Sequence, residues 1–136
     1  MKVEIVTPVG VKFSGPAAGI IAPGATGDLG LLPGHRAMMS ALRTGQAVIT
    51  VPGQEPIHLV IDGGYVHVVG GDLVTITTEL CEGWQELDKD KIRVAADKAR
   101  DELAAAKEAV STLAWQVKKH DLDLAETRLR VAASRP

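Results

Sequence analysis

Ile57-His58-Leu59-Val60-Ile61-Asp62-Gly63-Gly64-Tyr65-Val66-His67-Val68-Val69 is the stretch on which the fold turns. Two runs rich in β-branched residues flank Asp-Gly-Gly. Glycine relieves the strain of positive φ in a tight turn, so the pattern predicts a hairpin of two strands. A register pairing Ile61 with Tyr65 would put His67 opposite Leu59 and send the two imidazoles to opposite sides. Downstream, Gly70-Gly71-Asp72 reads as a turn into Leu73-Val74-Thr75-Ile76-Thr77-Thr78. Upstream, Pro52-Gly53-Gln54-Glu55-Pro56 reads as a loop after a strand at Ala47-Val48-Ile49-Thr50-Val51. Further strands are expected around Val3 and Ile5, at Val11-Lys12-Phe13-Ser14 and at Ala18-Gly19-Ile20-Ile21-Ala22, the last closed by Pro23-Gly24. Short strands at this spacing, separated by turn residues, indicate a flattened β-sandwich or barrel.

The composition changes abruptly after this region. All 14 glycines lie at or before Gly83, and six of the seven prolines lie at or before Pro56. Charge runs the other way: four basic and seven acidic residues precede Gln85, and eleven and ten follow it. Glycine serves turns and weakens helices, so residues 1–84 are expected to form a β domain and residues 85–136 an α-helical one. In the second part Ile92, Ala96, Ala99, Leu103, Ala106, Val110, Leu113 and Val117 form one helical stripe, and Leu122, Ala125, Leu129 and Ala132 a second stripe out of phase with it. The phase change predicts two helices. Asp88 is the expected N-cap of the first, and Ser111 or Thr112 of the second. Alanine fills five of these twelve positions and buries little area per residue, so the arm is expected to dock loosely on its own domain or on a partner. Trp84, at the junction, is expected to pack the two parts together.

Several functions are disfavoured. A net charge of -2 argues against nucleic-acid binding, which needs a basic excess to neutralise phosphates. No apolar run approaches the ~20 residues that span a bilayer, and no leader is expected at the N-terminus, so the chain reads as soluble. The one cysteine, Cys81, has no activating base in sequence, and Glu82 beside it would raise its pKa. The histidines His35, His58, His67 and His120 show no metal-ligand spacing and read as surface or satisfied side chains. Residues 24–34 are glycine-rich but lack the lysine of a phosphate-binding loop, so they are expected to form an ordered, turn-rich loop.

That stretch, Pro23-Gly24-Ala25-Thr26-Gly27-Asp28-Leu29-Gly30-Leu31-Leu32-Pro33-Gly34-His35, resembles the signature of the epsilon subunit of F-type ATP synthases. The segments Val6-Thr7-Pro8, Phe13-Ser14-Gly15, Leu42-Arg43-Thr44-Gly45, Gly63-Gly64-Tyr65-Val66-His67-Val68 and Arg128-Leu129-Arg130-Val131-Ala132 extend the likeness over essentially the whole chain. Arg36-Ala37 departs from the family's frequent Ala-Pro, and Asp62 from a frequent serine. The resemblance implies a β-sandwich followed by a two-helix hairpin. It implies a non-catalytic place in the central rotor stalk, with the gamma subunit, the c-ring and the alpha/beta catalytic head as partners and with membrane association only through them. That location would be the cytoplasmic face of the bacterial membrane, or its equivalent in an organelle. It implies that the arm regulates ATP hydrolysis and that Asp28, Gly30, Pro33, Gly34 and His35 face the c-ring. Some members bind ATP between the helices. Leu87, Asp88 and Arg128 match that motif here, whereas Lys91-Ile92 stands for Arg-Ala and Leu124 for a second late arginine. Lysine offers a point charge in place of a bidentate guanidinium, so no bound cofactor is expected. A stand-alone nucleotide-sensing module is the alternative reading of those helices.

Overall fold

A computed structural model describes residues 1–70, 72–107 and 109–135. Gly71 of the expected turn, Glu108, and Pro136 of the helical part lie outside the described residues. Eight strands come first: β1 (Lys2–Thr7), β2 (Gly10–Pro16), β3 (Gly19–Gly24), β4 (Gly27–Leu31), β5 (Met38–Thr50), β6 (Ile57–Val69), β7 (Leu73–Thr77) and β8 (Cys81–Gly83). A 3-10 turn at Trp84–Glu86 leads to α1 (Lys89–Ala104) and α2 (Leu113–Ala132).

The strands run in the order β2-β1-β7-β6-β5-β3-β4, with β8 also paired to β6. The long strands β5 and β6 are the spine, antiparallel along their length from Met38↔Val68 to Ile49↔Ile57. β6 changes its other neighbour midway. Leu59, Val60 and Ile61 pair with β8, whereas residues from Tyr65 to Val69 pair with β7. The sheet thus folds over along this spine, and both halves bury side chains in one aliphatic core: Val3, Ile5, Ile20, Leu31, Ile49, Ile61, Val66, Val74 and Ile76. This is the β-sandwich expected from the sequence.

Three expectations about the elements are corrected. Asp62-Gly63-Gly64 is not a hairpin turn but lies inside β6. Gly63 and Gly64 do adopt positive φ, 71° and 100°. That freedom serves the bend at which β6 passes from one layer to the other, and the same two glycines would suit a turn equally well. A Cβ on Gly64 would overlap the Thr77 carbonyl, so the close approach of the two backbones also requires glycine. His58 and His67 consequently share one strand. His58 stands beside Gln46 (3.3 Å), and His67 is exposed. Secondly, residues 24–34 are not wholly a loop: β4 pairs with β3 from Ile20↔Leu31 to Gly24↔Gly27. The period-two placing of Leu29 and Leu31, both turned to the core, is the signal for that strand. Thirdly, β5 begins nine residues before Ala47, in a stretch poor in β-branched residues.

Both helices start at expected caps. The Asp88 carboxylate accepts from the Asp90 and Lys91 N–H groups at 3.1 and 3.2 Å, and Thr112 Oγ1 accepts from the Trp115 N–H at 3.3 Å. α1 buries Ile92, Ala96 and Ala99, and α2 buries Leu122, Ala125, Thr127 and Val131. The far half of the first stripe, Val110, Leu113 and Val117, is exposed. The helices pack on each other, and α2 lies on β5 and β6. Val60 shows the result: it points away from the sandwich core, paired between Gln46 and Glu82, yet is 0% exposed.

Gly64→Ala should destabilise the β domain by roughly 3 kcal/mol, because the added carbon meets backbone and the φ is unfavourable. Gly30→Ala, with open space around the new carbon, should stay within about 0.5 kcal/mol. Urea unfolding midpoints of the two variants would show the contrast.

Candidate functional site

The signature stretch is held at two separate places. At the β3–β4 end, Asp28 Oδ1 accepts from Arg43 Nη2 (2.7 Å) while Arg43 Nη1 donates to the Gly24 carbonyl (2.6 Å). One guanidinium thereby ties the hairpin to β5. At the other end of β4 the chain crosses through residues 32–37 to β5. Here the Gly34 N–H donates to Asp72 Oδ1 (2.7 Å), and Gly34 itself has φ 83°. The His35 N–H donates to the Leu32 carbonyl (3.1 Å), and its ring Nδ1 stands 2.8 Å from the Arg36 carbonyl. Leu32, the first residue of this crossing, is 66% exposed. Gly30 sits mid-strand, and Asp28 lies at the opposite end of β4 from Pro33, Gly34 and His35. The five residues therefore do not form one cluster.

Arg43 and Asp72 were not singled out by the sequence reading. Asp72 belongs to the turn expected from the sequence, which marked its place but not its partner; it is the described non-glycine residue with positive φ, 65°, a conformation that aspartate tolerates in turns. Its carbonyl also accepts from the Lys2 N–H (2.8 Å), so it joins the start of β1 to the signature crossing.

In the arm, Leu87 and Asp88 are adjacent, but Arg128 is directed elsewhere. The Asp88 carboxylate is used in capping α1. Arg128 Nε donates to Glu82 Oε1 on β8 at 2.7 Å. Arg128 also lines a cleft of about 300 Å³ between the helices, with Lys98, Glu102, Asp121 and Leu124, whereas Leu87 lines a different cleft with Trp84 and Arg135. The interhelical cleft is small for a ligand site and carries both signs of charge. An anion there would compete with Glu82 for the arginine.

Among the described residues, three polar links tie α2 and the C-terminal turn to the sandwich and the turn that follows it: Arg128–Glu82 at 2.7 Å, His120 Nε2–Asp62 Oδ1 at 2.8 Å, and the Arg135 guanidinium 5.2 Å above the Trp84 ring. The hydrogen bond with Asp62 raises the His120 pKa above its ordinary 6.5, burial opposes it, and the charges of Asp62 and Asp121 add to the rise. Cys81 is 3% exposed. Its pKa is pushed up to about 12, chiefly by burial, with Lys12 pulling it down and Glu86 and Glu82 pushing it up. Among the described residues no group of three His, Cys, Asp or Glu side chains converges as metal ligands would, and no helix is long and apolar enough to cross a membrane.

The fold and its sites define a β-sandwich protein with a pinned terminal loop and a helical hairpin docked on its side. Residues 1–83 match the family model described as ATP synthase, Delta/Epsilon chain, beta-sandwich domain. The chain is 32% identical to the ATP synthase epsilon chain of Geotalea uraniireducens over 98% of its own length and 94% of that protein. It is 34% identical to the epsilon chain of Brevibacillus brevis over 76% of its length and 77% of that protein. A chain in the cryo-EM structure of Euglena gracilis mitochondrial ATP synthase, OSCP/F1/c-ring, matches with a TM-score of 0.79 at 25% identity, covering 98% of this chain and 80% of that one. A chain in the Tetrahymena thermophila mitochondrial ATP synthase central stalk and c-ring shares the fold, with a TM-score of 0.59 at 16% identity over 98% and 93%. This chain belongs to the ATP synthase delta/epsilon family, among its epsilon chains.

Arg128→Ala should loosen the docking of α2 by about 1 kcal/mol, the scale of a partly exposed charged hydrogen bond. Faster tryptic cleavage within residues 113–135, with the β domain still resistant, is the expected reading.

Proposed function

We propose that this chain is a non-catalytic subunit of the central rotor stalk of a proton-translocating F-type ATP synthase. In this reading the β domain, residues 1–84, couples the gamma subunit to the c-ring, and the helical domain, residues 85–136, restrains ATP hydrolysis at the alpha/beta head. The observation that carries it is the likeness to epsilon chains over nearly the full length, helices included. The molecule suits both tasks. Torque needs a stiff body, and the two thirteen-residue strands of the spine run through both layers. A contact loop must hold its shape without a partner, and the Asp72 bond to Gly34 does that for residues 33–35. Pro33, Gly34 and His35, with the exposed Leu32 beside them, are assigned to the c-ring side, whereas Asp28 and Gly30 sit at the other end and the middle of β4 and lie apart from that loop. A regulatory arm must move between arrangements of similar energy. Helices in which three of the seven buried residues are alanine, joined to the sandwich by a few polar links, suit such a balance.

The chain would then lie on the cytoplasmic face of the bacterial membrane, or the equivalent face of an organelle membrane, attached through its partners. The nucleotide-sensing alternative has less support, because Arg128 is engaged by Glu82 and Lys91 stands where a guanidinium would be needed.

The full chain should copurify with its gamma partner. In the reconstituted assembly, truncation after Glu86 should raise the rate of ATP hydrolysis severalfold. An unchanged rate would remove the inhibitory role and leave the structural one, whereas failure to bind gamma would remove both.

A further inference from the structure

The arm buries three alanines, Ala96 and Ala99 on α1 and Ala125 on α2, beside Ile92, Leu122, Thr127 and Val131. Each alanine contributes far less than a buried leucine or isoleucine, so the polar links add appreciably to what holds α2 down. Two of the three links depend on arginine, which keeps its charge at any ordinary pH. The third is His120 on Asp62, and histidine changes charge near neutrality.

The acceptor is prepared before the arm arrives. Asp62 lies at the bend of β6, where its N–H donates to Thr78 Oγ1 (3.2 Å) and to the Leu80 carbonyl (3.3 Å). Thr44 Oγ1 on β5 donates to Asp62 Oδ1 at 2.8 Å. The same oxygen receives His120 Nε2 at 2.8 Å. Its carboxylate side chain is 19% exposed, so water screens it weakly, whereas the imidazole is 46% exposed and open to exchange with solvent protons. A charged donor on a half-desolvated carboxylate makes a stronger bond than a neutral one.

We propose that His120 and Asp62 form a proton-gated latch on the helical arm, which holds α2 against the β domain while the imidazole is protonated and frees it when the proton leaves. The docked arm suffices for this inference. The regulatory reading above is needed only for its consequence on hydrolysis.

The neighbouring charges are consistent with one sign. From β6 the imidazole meets Asp62, and from its own helix Asp121, whose Oδ1 is 3.8 Å from Nδ1. β5 offers the Thr44 hydroxyl. On the same helix Lys119 is drawn to Asp123 at 2.9 Å. From α1, Lys98 and Glu102 line the cleft that Asp121 also lines, one charge of each sign. The proton therefore binds more tightly with the arm docked than with it free, in keeping with the raised pKa. A group with a raised pKa in the docked state contributes fully below its free pKa, near 6.5 for histidine. It loses that contribution as pH rises through the docked pKa. Acid sets the latch and alkali releases it. Because Arg100 of α1 faces Glu126 of α2 at 3.9 Å, α1 is coupled to whatever α2 does.

The test is an NMR titration of His120 in the full chain, paired with hydrogen exchange of α2 amides corrected for intrinsic rates. His120 should titrate above 6.5, and protection of α2 should fall over the same range, tenfold for each unit separating docked and free pKa values. β6 and β7 amides should stay protected throughout. Asp62→Asn should return His120 toward its ordinary value and flatten the pH response. His120→Lys, cationic until near pH 10.4, should keep α2 protected across the whole range. A His120 titration indifferent to Asp62→Asn, or α2 protection independent of pH, overturns the latch. Either result leaves the truncation experiment and the regulatory reading untouched, and an unchanged hydrolysis rate after truncation leaves the latch untouched.

Discussion

The close passage of Gly64 beneath the Thr77 carbonyl is the constraint from which the rest of the molecule follows. It lets β6 turn from one layer to the next without ending. A single strand can then pair with β8 and with β7 while staying in register with β5 over its whole length. One continuous ladder thus ties both halves of the sandwich together, and the aliphatic core is enclosed between them. The same bend fixes Asp62 in position. It also presents the outer face around Val60, onto which α2 lies. Core, arm seat and latch acceptor all descend from two adjacent glycines.

The arm is bound in another way. Its helices are capped by Asp88 and Thr112 and carry i,i+4 pairs such as Lys98–Glu102 and Lys119–Asp123. Such local features add little beside tertiary packing, so α2 amides lose protection when the helix leaves the sandwich.

Much of this was legible in the sequence because it is local. The loss of glycine after Gly83 marks where strands give way to helices, and caps are written in the residues that make them. There are two helices, but the phase change did not mark their break: it falls between Val117 and Leu122 inside α2, while the first stripe runs across the gap from Ala104 to Leu113. What escaped was decided at a distance. Asp62-Gly63-Gly64 carries identical chemistry for a turn and for a bend, and only pairing with residues 38–50 distinguishes them. Met38-Met39-Ser40-Ala41-Leu42 lacks β-branched residues and becomes a strand by joining β6. β8 is three residues long, too short to leave a pattern. At the candidate site the signature loop was readable, but its fastenings were not: Arg43 and Asp72 matter through partners 15 and 38 residues away. His120 was read as a surface or satisfied group, and its partner stands 58 residues earlier.

Cys81 has a practical corollary. A thiol reacts as its thiolate, and burial pushes the Cys81 pKa up to about 12, which keeps the sulfur protonated near neutrality. The sulfur also lies in the core behind β8, closed to reagents while the β domain is folded. The molecule is therefore chemically silent toward maleimides and similar probes as it stands. A cysteine introduced on an exposed turn of either helix would be the sole reactive thiol of this chain, so the position of the arm can be followed in the isolated protein without first removing the native residue.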